Sequence, residues 1–164
     1  MKPIEFLEAK KQHLARLANE RGAAGEVLAI DGMANWVPRP RGKGLKILLA
    51  ALRAEGISIK PSSFDAISLP SSGVLDFENP EAISELLPSM VFVEVKTANQ
   101  TRVREDFSGF FFALTESEIS AAEALGSRHR VALYNKNSGA MLLTSVPEIL
   151  AKAKSTNWQV SVQL

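Results

Sequence analysis

One strand-like segment carries two opposite charges among apolar residues, and it limits the folds open to this chain. The segment VFVEVKT, residues 91–97, is rich in the β-branched and aromatic residues of buried strands. Successive side chains of a strand point to opposite faces, so Glu94 and Lys96 share a face with Phe92. The pattern indicates either a functional charged edge on a buried sheet or an ion-pair ladder on a solvated face.

The composition is typical of one globular domain. Of the 164 residues, 46% are hydrophobic and 23% are charged, which is enough to build a core. The absence of cysteine excludes thiolate nucleophiles, disulfides and cysteine zinc sites, and two histidines, His13 and His129, argue against a histidine metal centre. No apolar run reaches the roughly 18 residues that span a bilayer, so we expect a cytoplasmic protein with no membrane partner.

Charge is divided unevenly along the chain. Residues 1–60 hold eleven Lys or Arg against six Asp or Glu, whereas residues 61–164 hold eight against twelve. The asymmetry indicates either a polyanion contact in the first part and a cation or catalytic site in the second, or uneven surface charge alone. We expect an N-terminal helical and basic segment, residues 1–44, followed by an α/β domain, residues 45–164.

Hydrophobic periodicity and turn residues predict the order of the elements. Helices are predicted at 3–21, 45–55, 115–126 and 146–154, and strands at 64–69, 91–97, 106–115, 129–135, 140–145 and 158–164. Thr115 and Glu118 have the spacing of a capping box at the start of the third helix. This order implies a mixed central β-sheet flanked by helices, an α/β or α+β fold.

An upstream aspartate provides a second candidate carboxylate. Asp65 lies early in the strand 64–69, and if this strand pairs with the apolar strand, Asp65 converges with Glu94 and Lys96 at one edge of the sheet. Two carboxylates and the backbone carbonyl of Val95 form a hard oxygen site suited to Mg²⁺. A lysine beside that site can hold or deprotonate an attacking water and stabilise charge on phosphorus.

These residues carry a resemblance to a known superfamily. SFD, residues 63–65, and EVK, residues 94–96, resemble the motif of the PD-(D/E)XK (restriction-endonuclease-like) nucleases. EVKTA, followed by FFFALTESEISAAEALGSRHRVALYN, is similar to the C-terminal nuclease-like domain of NO VEIN proteins. The resemblance covers residues 45–145.

The resemblance implies a fold and an activity. The fold is a restriction-endonuclease-like core, with residues 1–44 as an addition to it. The activity is that of a metal-dependent DNA endonuclease of restriction or repair type, which hydrolyses phosphodiester bonds with Mg²⁺ or Mn²⁺. By the superfamily's pattern, Asp65 and Glu94 hold the ion together with the Val95 carbonyl, and Lys96 is the catalytic cation.

Two groups of basic residues are candidates for contact with DNA. The first lies in a loop rich in proline and glycine and the second follows the EVK strand; they comprise Arg39, Arg41, Lys43 and Lys46, and Arg102 and Arg104. Phosphate contacts supply most non-specific nucleic-acid affinity, although the loop group could equally be a solvated linker. A homodimer or a companion protein is an open alternative as a further partner.

The remaining residues have ordinary structural interpretations. The aromatic run at residues 110–112 is expected in the core, and His129 is expected to be solvated at a strand start. Two classes of function therefore remain from the sequence. One is the endonuclease, and the other is a catalytically inactive module of the same fold that binds nucleic acid or a partner protein.

Overall fold

The described chain forms one mixed five-stranded sheet with four helices. The structure, a computed structural model, describes residues 35–71, 73–156 and 162–164. The strands are β1 (Trp36–Pro38), β2 (Ala66–Ser68), β3 (Val91–Ala98), β4 (His129–Asn135) and β5 (Met141–Thr144). The helices are α1 (Gly42–Ala54), α2 (Pro80–Leu86), α3 (Glu116–Leu125) and α4 (Val146–Lys152). The predicted mixed sheet flanked by helices is confirmed.

The strands lie in chain order across the sheet, from β1 to β5. Three neighbouring pairs are antiparallel, and β3 pairs with β4 in parallel through the crossover that contains α3. The predicted hairpin between β4 and β5 is confirmed, with Gly139 at a φ of 75° in its turn. The EVK strand is therefore the central strand of the sheet, with neighbours on both sides.

The described fold begins upstream of residue 45. Strand β1 pairs with β2 along its length, and α1 begins at Gly42. Gly44 is buried in a close contact with Phe77. A Cβ added at this position would lie 3.0 Å from the Cβ of Phe77, which leaves little room for a side chain. Residues 36–44 thus contribute a strand and a tight helix contact to the sheet domain. The helix predicted at 3–21 lies outside the described residues, as does most of the strand predicted at 158–164.

The strand predicted at residues 106–115 is wrong, because this segment is a loop. Phe107 has a φ of 62°, and its N–H donates to the carbonyl of Arg104 at 2.9 Å, which turns the chain instead of extending it. Phe110 and Phe112 pack against a core cluster, as expected, but Phe111 is 71% exposed. The three phenylalanines alternate between the core and the solvent, which is the pattern that a strand would also produce.

The core contacts both faces of β3. Phe92 meets Phe64 edge to face at 5.1 Å, among apolar residues of α1, α2 and α3. On the other face, Val93 and Val95 pack with Trp36. Glu94 follows Phe92 on the helix-covered face, so its carboxylate lies where a carboxylate is costly to bury.

Among the described residues, no helix combines the length and hydropathy needed to cross a membrane. The longest described helix, α1, has 13 residues, which is too short for a spanning segment.

Candidate active site

Asp65 is joined to the EVK strand by both its backbone and its side chain. Strand β2 begins at the next residue, and the Asp65 N–H donates to the carbonyl of Val93 at 2.8 Å. The Asp65 Oδ2 atom accepts a hydrogen bond from the N–H of Val95, also at 2.8 Å. The Asp65 carboxylate therefore accepts the hydrogen bond that a backbone carbonyl of a neighbouring strand would otherwise accept from Val95. This contact fixes an acid 30 residues away beside the EVK motif.

Arg39 supports the backbone around Asp65. Its N–H donates to the Asp65 carbonyl at 2.8 Å, and its Nη1 atom donates to the carbonyls of Pro61 and Phe64 at 2.7 and 2.8 Å. The guanidinium carbon lies 6.0 Å from the centre of the Phe64 ring. Arg39, a predicted phosphate contact, is thus engaged within the fold, where it holds the turn that precedes Asp65.

Lys96 bridges two glutamates, Glu94 on its own strand and Glu118 on α3. The Lys96 Nζ atom lies 3.0 Å from Glu94 Oε1 and 2.9 Å from Glu118 Oε1. The side chains are 15% exposed for the lysine, 8% for Glu94 and 5% for Glu118. An ion-pair ladder on a solvated face would be far more exposed, so this alternative does not describe the pair.

Burial changes the proton affinity of the carboxyl groups. It raises the pKa of Glu94 to about 9, and the nearby charge of Asp65 adds to that rise. It also raises the pKa of Asp65, against the opposing effect of the hydrogen bond from Val95. Without a bound cation, the pair of carboxyl groups therefore favours holding one proton between them, because the Asp65 and Glu94 side chains are in hydrogen-bond contact and two carboxylates so close together in a buried site are costly to ionise together.

Lys96 keeps its charge in the same surroundings. Burial lowers the pKa of the Lys96 ammonium, but attraction to Glu94 and Glu118 outweighs this and raises the pKa above its ordinary value. The ammonium has three N–H donors, of which two are accounted for by the two glutamates. One donor is left for a phosphate oxygen or a water molecule.

The donor atoms fit a small, hard cation. Glu94 Oε2 is buried and accepts no hydrogen bond from any described residue, so it needs either a proton shared with Asp65 or a bound cation. Strand geometry directs the Val95 carbonyl to the same side as its N–H, toward Asp65. The described residues include no cluster of three or more His, Cys, Asp or Glu side chains suited to a metal. Mg²⁺ needs only one or two carboxylates, since it retains several waters.

Two residues of this region were not recognised from the sequence. Glu118 was explained by helix capping alone, and its contact with Lys96 had no signal in local spacing. His129 is buried, not solvated, and its Nε2 atom lies 3.2 Å from the carbonyl of Ser63. Burial lowers its pKa, so the ring is neutral at pH 7. The apolar alternation of β4 could have indicated that its first residue points inward.

The other basic candidates are exposed. Arg41, Lys43 and Lys46 surround the first turn of α1, which has no side-chain cap and no acidic residue. The partial positive charge of a helix N-terminus adds to theirs. Arg102 and Arg104 lie in the loop after β3, where Arg102 Nε contacts Gln100 Oε1 at 3.2 Å.

Two surface hollows of about 250 and 240 Å³ lie away from the EVK motif. The first is lined by residues of the loop after β3 and of the β4–β5 hairpin. The second lies between residues 58–60 and the first turns of α3, where Glu116, Ser117 and Ser120 line it. Asp65, Glu94 and Lys96 line neither hollow. The predicted position at an edge of the sheet is wrong, because β3 is the central strand and Glu94 is buried on its helix-covered face.

No protein-family model, curated protein or solved structure matches this chain. The geometry of the charged residues is therefore the basis for a function.

Proposed function

We propose that this protein is a Mg²⁺- or Mn²⁺-dependent DNA endonuclease that hydrolyses phosphodiester bonds at the Asp65, Glu94 and Lys96 site. The observation that carries the proposal is the pair of largely buried carboxyl groups, Asp65 and Glu94, held together beside the Lys96 ammonium. A purely structural pair of Glu94 and Lys96 would have no need of the Asp65 carboxyl group beside it, which makes Glu94 costlier to ionise.

Each residue has a distinct role in this proposal. Asp65 and Glu94 hold the ion with the carbonyl of Val95, and the bound ion would polarise the phosphate and lower the pKa of a water ligand. Asp65 is oriented by the Val95 N–H, so its position does not depend on the ion. Arg39 keeps the backbone of Asp65 in place.

Lys96 acts as a cation in this proposal. Its raised pKa keeps it protonated at neutral pH, so it is a poor general base for the attacking water. The remaining N–H donor can stabilise negative charge that develops on the phosphate, in a site where burial strengthens the interaction. Of the two roles that a lysine can take beside such an ion, we favour charge stabilisation.

DNA is the proposed substrate because two groups of exposed cations precede and follow the candidate residues in the sequence. Arg41 is two residues from Arg39, whose N–H donates to the Asp65 carbonyl, so the chain leads from the candidate site directly into the basic first turn of α1. Phosphate contacts of this kind provide affinity without sequence specificity. We propose that Arg41, Lys43 and Lys46, with Arg102 and Arg104, contact the backbone.

The test is cleavage of supercoiled plasmid by the purified protein in Mg²⁺, Mn²⁺ or EDTA. We expect nicking with the ions and none with EDTA. Lys96→Ala should abolish cleavage while DNA affinity is retained, because one cation among many contributes little to ground-state binding. Lys136→Ala, an exposed lysine at the end of β4, is the matched control and should cut normally. DNA binding without cleavage in any divalent ion would favour the inactive binding module.

A further inference from the structure

Glu118 is placed unusually for a helix-capping residue. It stands at the third position of α3, where its N–H donates to Thr115 Oγ1 at 3.3 Å and its Oε2 atom accepts from the Thr115 N–H at 3.0 Å. These two bonds complete the capping box. The other oxygen, Oε1, contacts Lys96 Nζ at 2.9 Å, so both carboxylate oxygens are in use in a buried position.

The chain contains its own comparison. Glu148 occupies the same position in α4, where its N–H donates to Oγ of the capping Ser145 at 3.3 Å. Its side chain is exposed, accepts from the hydroxyl of Thr144, and forms no ion pair with a described residue. The Glu148 carboxylate does not complete a capping box, because it bonds to Thr144 instead. A glutamate at this helix position can thus be exposed, and the capping box of Glu118 uses only Oε2, so the contact of Oε1 with Lys96 needs another explanation.

A bound cation and the Lys96 ammonium would compete for the Glu94 carboxylate. The 3.0 Å contact between the ammonium and Glu94 would weaken as a result. Glu118 reaches Lys96 from a different element, α3, and the N–H of Thr115 fixes its direction. The second carboxylate can thus hold the ammonium when the first is engaged.

We propose that Glu118 is a positioning residue that anchors the Lys96 ammonium beside Asp65 and Glu94 independently of the bound ion. The part of this proposal that concerns the ion rests on the proposed function. The anchoring itself is a property of the ion-free protein. Glu118 acts through Lys96 and contacts neither the substrate nor the ion.

The direct test is nitrogen-15 NMR of lysine ammonium groups in the metal-free protein. A buried, hydrogen-bonded ammonium exchanges slowly with water and gives a signal, which Lys96→Arg identifies by its loss. We expect the signal in the wild type, Glu94→Gln and Glu148→Gln, and its loss in Glu118→Gln. Thr115→Ala breaks the capping box but leaves the carboxylate, so it should keep the signal and control for destabilisation of α3.

Two further measurements extend the test to the active protein. Adding Mg²⁺ should leave the ammonium signal of the wild type in place. In plasmid cleavage, Glu118→Gln should lower kcat at least about tenfold with little change in KM. A displaced Lys96 would no longer stabilise the charge that develops in the transition state, whereas substrate binding would change little. Glu148→Gln and Thr115→Ala should retain a kcat within about twofold of the wild type when compared well below their melting temperatures.

The outcomes separate this proposal from the proposed function. Retention of the Lys96 signal in Glu118→Gln, or equal loss in Glu118→Gln and Thr115→Ala, would overturn the anchoring role. A wild type that shows the expected NMR pattern and never cuts DNA would overturn the nuclease activity while supporting the anchor. A wild-type ammonium signal that vanishes on addition of Mg²⁺ would contradict anchoring independent of the ion.

Discussion

The Oδ2 atom of Asp65 accepts a hydrogen bond of 2.8 Å from the N–H of Val95, the middle residue of the EVK motif. This one contact joins two segments that are 30 residues apart and brings two carboxyl groups and an ammonium together beside β3, the central strand. Because the contact uses one carboxylate oxygen as a strand acceptor, the side chain has both a structural role and a proposed ligand role.

The two roles of Asp65 can be separated by substitution. In Asp65→Asn, the amide oxygen can still accept from Val95, so stability should be near that of the wild type while Mg²⁺ affinity falls sharply. In Asp65→Ala, the Val95 N–H loses its acceptor in a partly buried position, which should cost about 1–3 kcal/mol of unfolding free energy. Urea unfolding and calorimetric Mg²⁺ titration of both variants check this. Equal stability of the two variants would contradict the structural role.

Glu94 should destabilise the metal-free protein as the pH rises. Its folded-state pKa of about 9 exceeds the ordinary value of 4.5, so its contribution is fully present below pH 4.5 and is lost as the pH rises toward 9. Glu94→Gln cannot ionise, so it should be more stable than the wild type at pH 7, by on the order of 1–2 kcal/mol after the weaker contact with Lys96 is counted. Urea unfolding in EDTA at pH 5, 7 and 9 measures the difference. An advantage that does not grow with pH would contradict the buried, protonated state of Glu94.

His129 should destabilise the folded protein as the pH falls, which is the opposite of the effect of Glu94. Burial lowers its folded-state pKa below 6.5, so the unfolded chain takes up a proton that the folded chain resists. Its contribution to stability is present above pH 6.5 and is lost as the pH falls. His129→Met, which fills a similar space without titrating, should be less stable at pH 7 but should flatten the pH dependence of the melting temperature between pH 7 and 5. An unchanged slope would place the histidine in solvent.

The basic residues near α1 should divide into two groups. Replacing Arg41, Lys43 and Lys46 by Ala should weaken DNA binding and reduce the log–log salt slope by up to about one unit for each lost phosphate contact, without a change in melting temperature. Arg39→Ala should instead lower stability by about 1–3 kcal/mol, because the carbonyls of Pro61 and Phe64 lose their donor. Arg53→Ala, at the far end of α1, is the control. A salt slope equal to that of the wild type in the triple variant would assign this surface to another role.

Sequence reasoning succeeded where a local pattern decides the structure. Alternation along the apolar strand placed Glu94 and Lys96 on one face, and capping chemistry placed the start of α3 at Thr115. Both features depend on residues within a few positions of one another. The convergence of Asp65 on this strand followed only once strand pairing was assumed.

The errors have two physical causes, which are local turns with positive φ and contacts between distant segments. The aromatic run at 110–112 alternates like a strand, but Phe107 and Gly109 adopt positive φ and fold the segment into a loop. The burial of His129 depends on the carbonyl of Ser63, 66 residues away. The second role of Glu118 depends on a lysine that lies 22 residues earlier. Local spacing does not reveal the partners of His129 and Glu118, although the apolar alternation of β4 indicates that His129 points inward.

The proposed ion site is tested most directly by anomalous diffraction from crystals of this protein soaked in Mn²⁺. We expect one anomalous peak between the carboxylates of Asp65 and Glu94 and near the carbonyl of Val95, at oxygen distances of about 2.0–2.3 Å, with Lys96 still in contact with Glu118. An empty site at saturating Mn²⁺, with the Glu94–Lys96 contact unchanged, would contradict the metal-dependent nuclease.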